Sequence, residues 1–182
     1  INFKLGFYAP EFKEITGYYE DYFGMTSYRP NNVDLFFEEW SKQLLHYAKI
    51  AEEENVDILE IAYEFHDHLT NNYESKWLKI IKDVRSIYTG KLSAHFLRPK
   101  NGINSVLLKH VDIIQASLFT KSTNKRDPSI KELQMGWFSN AYGKNLIADI
   151  CYLAKKSNKK VLLGDMAFLS LDGANTNWNG FG

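Results

Sequence analysis

The run from Val33 to Glu54 leads almost directly into an apolar segment, Val56 to Phe65, and that junction limits the fold more than any other stretch. Val33, Phe36, Phe37, Trp40, Leu44, Tyr47, Ala48 and Ala51 recur at steps of three and four, the period of one helix face. Asn32 is placed to cap that helix, and acidic residues follow in its early turns, as the helix dipole favours. The next segment, Val-Asp-Ile-Leu-Glu-Ile-Ala-Tyr-Glu-Phe, is short and apolar enough for a buried strand. It ends in a carboxylate, Glu64, followed by the polar loop His66-Asp67-His68. A carboxylate at the C-terminal end of a strand set between helices is where α/β barrels keep their chemistry.

The rest of the chain repeats this alternation. Ile1 to Pro10, with Phe3, Leu5 and Phe7, reads as a strand, and the Tyr-rich stretch from Pro10 to Asn32 as a long irregular loop. Ser75 to Tyr88 reads as a helix with Trp77, Ile80, Ile81, Val84 and Ile87 inward, and Gly90 suits a left-handed position closing it. Lys91 to Leu97 is a strand stopped by Pro99, Asn104 to His110 a short helical turn, and Val111 to Phe119 another strand. Asp127-Pro128 opens a helix running to about Trp137. Lys144 to Ser157 forms a further helix with Leu146, Ile147, Ile150, Cys151 and Ala154 inward, and Lys160 to Phe168 is the last strand. Regular alternation implies a parallel sheet with helices outside. The expectation is one α/β domain over residues 1–182, of the (β/α) barrel type. Five βα units are visible, whereas a closed eight-stranded barrel takes about 250 residues.

Charge excludes some partners. Lys+Arg and Asp+Glu balance at 22 each, so no basic excess points to nucleic acid or to an anionic membrane. No apolar run is long enough to span a bilayer. Cys151 stands alone, so no internal disulfide is available, and its apolar helix face marks it as a core thiol. Aromatic residues make up 15% of the chain, which suits stacking on sugar rings as well as core packing. The chain starts at Ile1 and ends in a Gly-rich tail, so both ends read as cut or processed, and secreted and cytoplasmic locations both stay open.

Several stretches, in order, resemble Glycoside Hydrolase Family 113, the β-mannanase-type enzymes of the large retaining (β/α)8 clan. Phe36-Phe37 to Glu52, including Tyr47-Ala48-Lys49-Ile50-Ala51-Glu52, resembles the helix before that family's acid/base strand. Tyr63-Glu64-Phe65 sits where the family has Gly-Thr-Glu-Leu. Val84-Arg85 and Tyr88-Thr89-Gly90 resemble its next helix and turn, and Pro128-Ser129, Glu132-Leu133 and Gly136-Trp137 its segment after the sixth strand. Ser170-Leu171-Asp172-Gly173-Ala174-Asn175, with Trp178, resembles its Asp-Gly-Ala-Asn loop. The resemblance covers about the third to the seventh βα units.

The resemblance implies roles. Glu64 matches the general acid/base, and Asp165 falls at the position of the nucleophilic glutamate. Phe119 stands where the family has a tyrosine supporting the nucleophile, and a histidine expected on the third strand is replaced near Gly6. Trp178, Phe119, Asn175 and Trp137 are the expected substrate-binding residues. No metal and no organic cofactor is required, and the partner is a carbohydrate. If the first, second and eighth strands are absent from the molecule, the open edges imply a homo-oligomer or a partner chain.

Two departures bear on activity. Asp is one methylene shorter than Glu, so with the backbone unmoved its carboxylate retreats by about 1.5 Å, and a misplacement of about 1 Å costs on the order of a hundredfold in rate. Retaining chemistry needs carboxyl groups about 5–5.5 Å apart and inverting chemistry about 6.5–9.5 Å. The leading expectation is hydrolysis of a β-linked, mannan-type polysaccharide or oligosaccharide by Glu64 and Asp165. The alternative is a degenerate barrel that binds carbohydrate or protein.

Plainer readings stand beside these. Glu64 and Asp165 could be rim or loop-capping carboxylates. Glu60 lies on the same strand face as Glu64, two steps away in the alternation, and it either points into the barrel, where it needs a partner, or lies at a solvated edge. His66 and His68 could ligate a metal, but a solvated loop accounts for them as well. Trp137 could be core. Asp172-Gly173 is first a turn signal, and Gly102 and Gly164 are not spaced as a phosphate loop.

Overall fold

The computed structural model of the chain describes residues 1–5, the backbone of 17–19, and residues 28–118, 120–165 and 173–176. Its main sheet has five strands: β1 (Asn2–Phe3), β4 (Ile58–Tyr63), β5 (Lys91–Phe96), β6 (Ile113–Ala116) and β7 (Lys160–Leu163). Their spatial order is β1-β4-β5-β6-β7 and every neighbouring pair is parallel. Helices fill the crossovers: α1 (Val33–Glu53), α2 (Asp67–Asn71), α3 (Glu74–Arg85), α4 (Ile130–Met135) and α5 (Leu146–Ser157). This is the α/β architecture of a partial (β/α) barrel, as the alternation implies. No described helix is long and apolar enough to cross a membrane.

The α1 pattern holds for the reason the sequence indicated. Asn32 accepts from Leu35 N at 3.0 Å, and Phe36, Phe37, Trp40, Leu44, Ala48 and Ala51 are buried. Phe37 meets the Trp77 ring edge-on at 5.1 Å, which joins α1 to α3. The Tyr88 hydroxyl closes the floor by donating to Val56 O at 2.7 Å.

Several local expectations are corrected. The stretch before Asn32 contains an antiparallel pair, β2 (Gly17–Tyr19) and β3 (Tyr28–Pro30). Gly90 is not left-handed; a side chain there would run into the Tyr88 ring, so close approach is what requires glycine. The helix expected at Asp127-Pro128 starts two residues later, at Ile130, and is described to Met135. Ser129 and Glu132 form a reciprocal capping box, which satisfies two backbone donors at once and sets the start of α4. The turn expected over Asn104 to His110 is two short 3-10 helices, Pro99–Asn104 and Val106–Lys109. The strand expected from Lys160 is described to Leu163, and residues 166–168 lie outside the described residues.

Cys151 is exposed rather than core. Leu153 is the buried residue of α5, and two residues of helix turn Cys151 about 200° away from it. β1 and β7 are the two outer strands of the main sheet among the described residues, and Leu162 and Leu163 of β7 are exposed.

Candidate active site

The site begins with a defect in β4. Glu60 pairs with Ser93, but Ala62 pairs with Ala94, so β4 holds one extra residue, Ile61, against β5. A bulge of this kind re-aims the residues that follow it. Trp40 stabilises it by donating its indole N–H to Ile61 O at 2.9 Å. After the bulge Tyr63, not Ala62, returns to the inward face that Glu60 occupies. Glu64 then takes a left-handed backbone, φ +49, which is costly for a residue with a Cβ and recurs at functional sites. The Glu64 amide is held by His95 O at 2.8 Å, and its side chain swings back over the sheet. Glu60 and Glu64 thus both face inward, through a bulge and a strained turn rather than through simple alternation.

The inward faces carry two polar layers. The lower comprises Asn2, Glu60, Ser93 and Gln115. Gln115 Nε2 donates to Glu60 Oε2 and to Ser93 Oγ, both at 2.7 Å, while Asn2 donates to Gln115 Oε1 at 3.0 Å. The upper comprises Lys4, Tyr63, His95 and Ser117, two residues further along β1, β5 and β6, with Glu64 and Asp165 above. Ser117 donates to Glu64 Oε1, and His95 Nε2 lies 2.7 Å from Ser117 Oγ. Lys4 contacts Asp165 Oδ1, and Tyr63 donates to Asp165 Oδ2 at 2.8 Å. Asp165 is set by the backbone as well: its carbonyl accepts from Leu118 N at 2.8 Å.

Carboxylate oxygens of Glu64 and Asp165 and a ring nitrogen of His95 lie within 4.8 Å of one another. The 1.5 Å retreat expected of Asp165 therefore leaves no wide gap in this fold. The surroundings push the two carboxyls apart in acidity. Burial raises Glu64 above the usual carboxylate range, against the lowering effects of Ser117 and His95, and the Asp165 charge raises it further. Burial also raises Asp165, but the hydrogen bonds from Lys4 and Tyr63 outweigh it and hold that carboxyl below its usual value. The Tyr63 hydroxyl is pushed up by burial and by donating to Asp165, so it stays a donor.

The same cluster has ligand types that suit a metal. Its atoms are already engaged, however: His95 Nε2 with Ser117, and Asp165 with Tyr63 and the Lys4 ammonium, whose charge opposes a second cation. His66 and His68 are not in this cluster. His66 Nδ1 accepts from His68 N at 2.9 Å, and His68 Nε2 meets the Tyr73 hydroxyl at 2.9 Å, which organises the start of α2.

The remaining sequence candidates separate. Asn175 Nδ2 donates to Lys125 O at 2.8 Å and its backbone carbonyl accepts from Ser122 N at 3.2 Å, so Asn175 ties its own segment to the loop over residues 122–125. Trp137 is half-buried after α4, its carbonyl accepting from Leu146 N at 3.0 Å. Phe119, Trp178 and Gly6 lie outside the described residues. A cavity of about 800 Å³ beside Ser122, Lys125, Glu132, Met135, Gly136 and Asn140 does not include the carboxylates, and the chemistry is not placed there. Lys4, His95, Ser117 and Gln115 were missed by the sequence reading. Their signal was available: Asn2 and Lys4, Ser93 and His95, and Gln115 and Ser117 are polar residues two apart in apolar strands.

Parallel strands with interleaved helices, and carboxylates gathered at the C-terminal ends of β4 and β7, place the chain among the (β/α) barrels. The chain belongs to Glycoside Hydrolase Family 113, whose family model matches residues 21–182. Among solved structures it is similar to a family 113 β-1,4-mannanase, at 20% identity and TM-score 0.61, over 91% of this chain and 45% of that one. A complex structure of a family 113 β-1,4-mannanase matches at 22% identity and TM-score 0.60, over 83% of this chain and 42% of that one. The family 113 β-mannanase AaManA from Alicyclobacillus acidocaldarius, in complex with ManMIm, matches at 15% identity and TM-score 0.55, over 85% and 46%. The chain thus spans less than half the length of these structures. No curated protein matches it.

Proposed function

We propose that this chain carries the catalytic pair of a retaining glycoside hydrolase acting on β-1,4-linked mannan or its oligosaccharides. Glu64 is the general acid and base, and Asp165 the nucleophile. The observation that carries the reading is the opposed acidity of two carboxyls whose oxygens lie within 4.8 Å of each other. Environments that push paired carboxyls apart assign one to hold a proton and the other to hold charge. The separation also suits direct attack better than the wider gap an intervening water needs.

In the first step an Asp165 oxygen bonds to the anomeric carbon as the glycosidic C–O bond breaks, and Glu64 gives its proton to the departing oxygen. In the second, Glu64 takes a proton from water, whose oxygen displaces Asp165. Lys4 and Tyr63 keep Asp165 ionised and aimed. Mannan is the substrate to try first because the similar solved structures are described as mannanases.

One observation favours a sugar-binding relic instead: the Lys4 ammonium in contact with Asp165 draws charge from the attacking oxygen. Glu64→Ala separates the two readings. With β-1,4-mannooligosaccharides and the full-length protein, an enzyme loses turnover in this variant and keeps binding, and the first product of the unaltered protein has the retained anomeric configuration. Binding without turnover in the unaltered protein identifies the relic.

A further inference from the structure

Beneath the carboxylate pair lies a buried acid that the reaction above does not use. Glu60 and His95 are fully buried side chains. Glu60 Oε2 lies 3.4 Å from His95 Nδ1, and neither that nitrogen nor Glu60 Oε1 has a hydrogen-bond partner among the described residues. His95 Nε2 in turn reaches Ser117, which donates to Glu64. The order is therefore Glu60, His95, Ser117, Glu64, one polar group from each step across β4, β5, β6 and back to the end of β4.

We propose that Glu60 and Glu64 share one proton through His95 and Ser117, with Glu60 as a positioning residue that sets over what pH range Glu64 keeps its proton. The inference rests on Glu64 being the general acid. The proton count is conserved between two arrangements. In one, Glu60 carries the proton against Nδ1, His95 Nε2–H donates to Ser117, and Ser117 donates to the Glu64 carboxylate. In the other, Glu64 carries the proton and donates to Ser117, Ser117 donates to Nε2, and Nδ1–H faces the Glu60 carboxylate. Three hydrogens move, no heavy-atom bond changes, and no outside reagent is required. The 3.4 Å gap is longer than a good hydrogen bond, and its closing is the only movement of heavy atoms needed.

The surroundings are consistent with sharing. Burial raises Glu60, against lowering by His95 and Lys4, and Asp165 adds to the rise. Glu64 is raised by burial and by Asp165, and lowered by Ser117, His95 and Lys4. Tyr63, whose ring packs edge-on against His95 at 5.0 Å, donates to Asp165. Two interacting carboxyls of this kind lose their protons in macroscopic steps belonging to the pair. The last proton, shared with Glu64, leaves late because the partner is by then charged.

The test uses Glu60→Gln, which keeps shape and hydrogen bonding but stores no proton. In wild type, nitrogen-15 NMR of the imidazole is expected to show His95 changing which ring nitrogen carries hydrogen as the pair titrates. In Glu60→Gln that change disappears, and the alkaline limb of kcat/KM falls by about one pH unit, the scale of a coupled pair. Ser117→Ala, which cuts the line without touching Glu60, is expected to uncouple the His95 change from the Glu64 titration. A purely structural Glu60 lowers activity with the limb unmoved, and a His95 that keeps one form at every pH also overturns the proposal. The NMR readout needs no turnover. A protein that switches His95 but hydrolyses nothing keeps the sharing and loses the catalytic assignment; one that hydrolyses without switching does the reverse.

Discussion

Replacing Gly164 with alanine tests the packing on which the site depends. Gly164 follows β7, and its amide donates to Ala116 O at 2.8 Å, so its backbone is held by β6. A Cβ there would sit closer than 3.0 Å to two atoms of the His95 ring, and 3.2 Å from a third. The ring cannot yield easily, because it is fully buried, bonded to Ser117 at 2.7 Å and packed edge-on against Tyr63 at 5.0 Å. Overpacking of this kind costs about 1–3 kcal/mol. The backbone of Gly164 is not left-handed, so alanine also gains about 0.4–1 kcal/mol by restricting the unfolded chain. The clash wins, and the net expectation is a loss of about 1–2 kcal/mol, or roughly 5- to 30-fold in the folding constant. Urea unfolding followed by tryptophan fluorescence reads it directly. Turnover should fall with it, because a displaced His95 leaves Ser117 and Glu64 without their fixed line. A Gly164→Ala protein as stable as wild type, or more stable, would show that only the unfolded-chain term operates and that His95 is not tightly held.

Two further outcomes follow from the charges. Lys4→Met removes the ammonium beside Asp165; because the folded-state pKa of Asp165 is lowered, its contribution is present above the unfolded value and is lost as pH falls through the folded one. The variant should therefore be less stable than wild type near neutral pH, with the difference closing as pH falls through the range in which Asp165 takes up its proton, and coincident curves would remove Lys4 as the cause. Glu60 has the opposite sign: burial raises it, so its contribution is full below the unfolded value and fades as pH rises through the folded one. Glu60→Gln should hence gain thermal stability relative to wild type on the alkaline side and little on the acid side, and a uniform loss at all pH values would contradict the burial argument.

Much of the scaffold was legible because its signals are local. Helix α1 announces itself through apolar spacing and Asn32, and β4 through its apolar run, since a helix face and a buried strand are patterns within one segment. Boundaries were less legible where two caps compete, as at Asp127-Pro128 against Ser129 and Glu132, because the choice depends on which donors are satisfied in three dimensions. Cys151 misled because an apolar helix face shows only that a face exists, whereas Leu153 alone is fully buried on α5.

The sequence by itself determined the alternation of strands and helices, and by resemblance it singled out Glu64 and Asp165. Both follow from short-range order along the chain. Only the tertiary structure decided what surrounds them. Lys4 and Asp165 meet across 161 positions of sequence, and Ser117 reaches Glu64 across 53. The Ile61 bulge, invisible in the apolar run, decides that Tyr63 faces Asp165. The acidity of a carboxyl depends on burial and on neighbouring charge, and those neighbours come from five strands brought together by sheet pairing. A sequence pattern records which side chains are present; their opposed acidities exist only once the sheet has placed them within a few ångströms of one another.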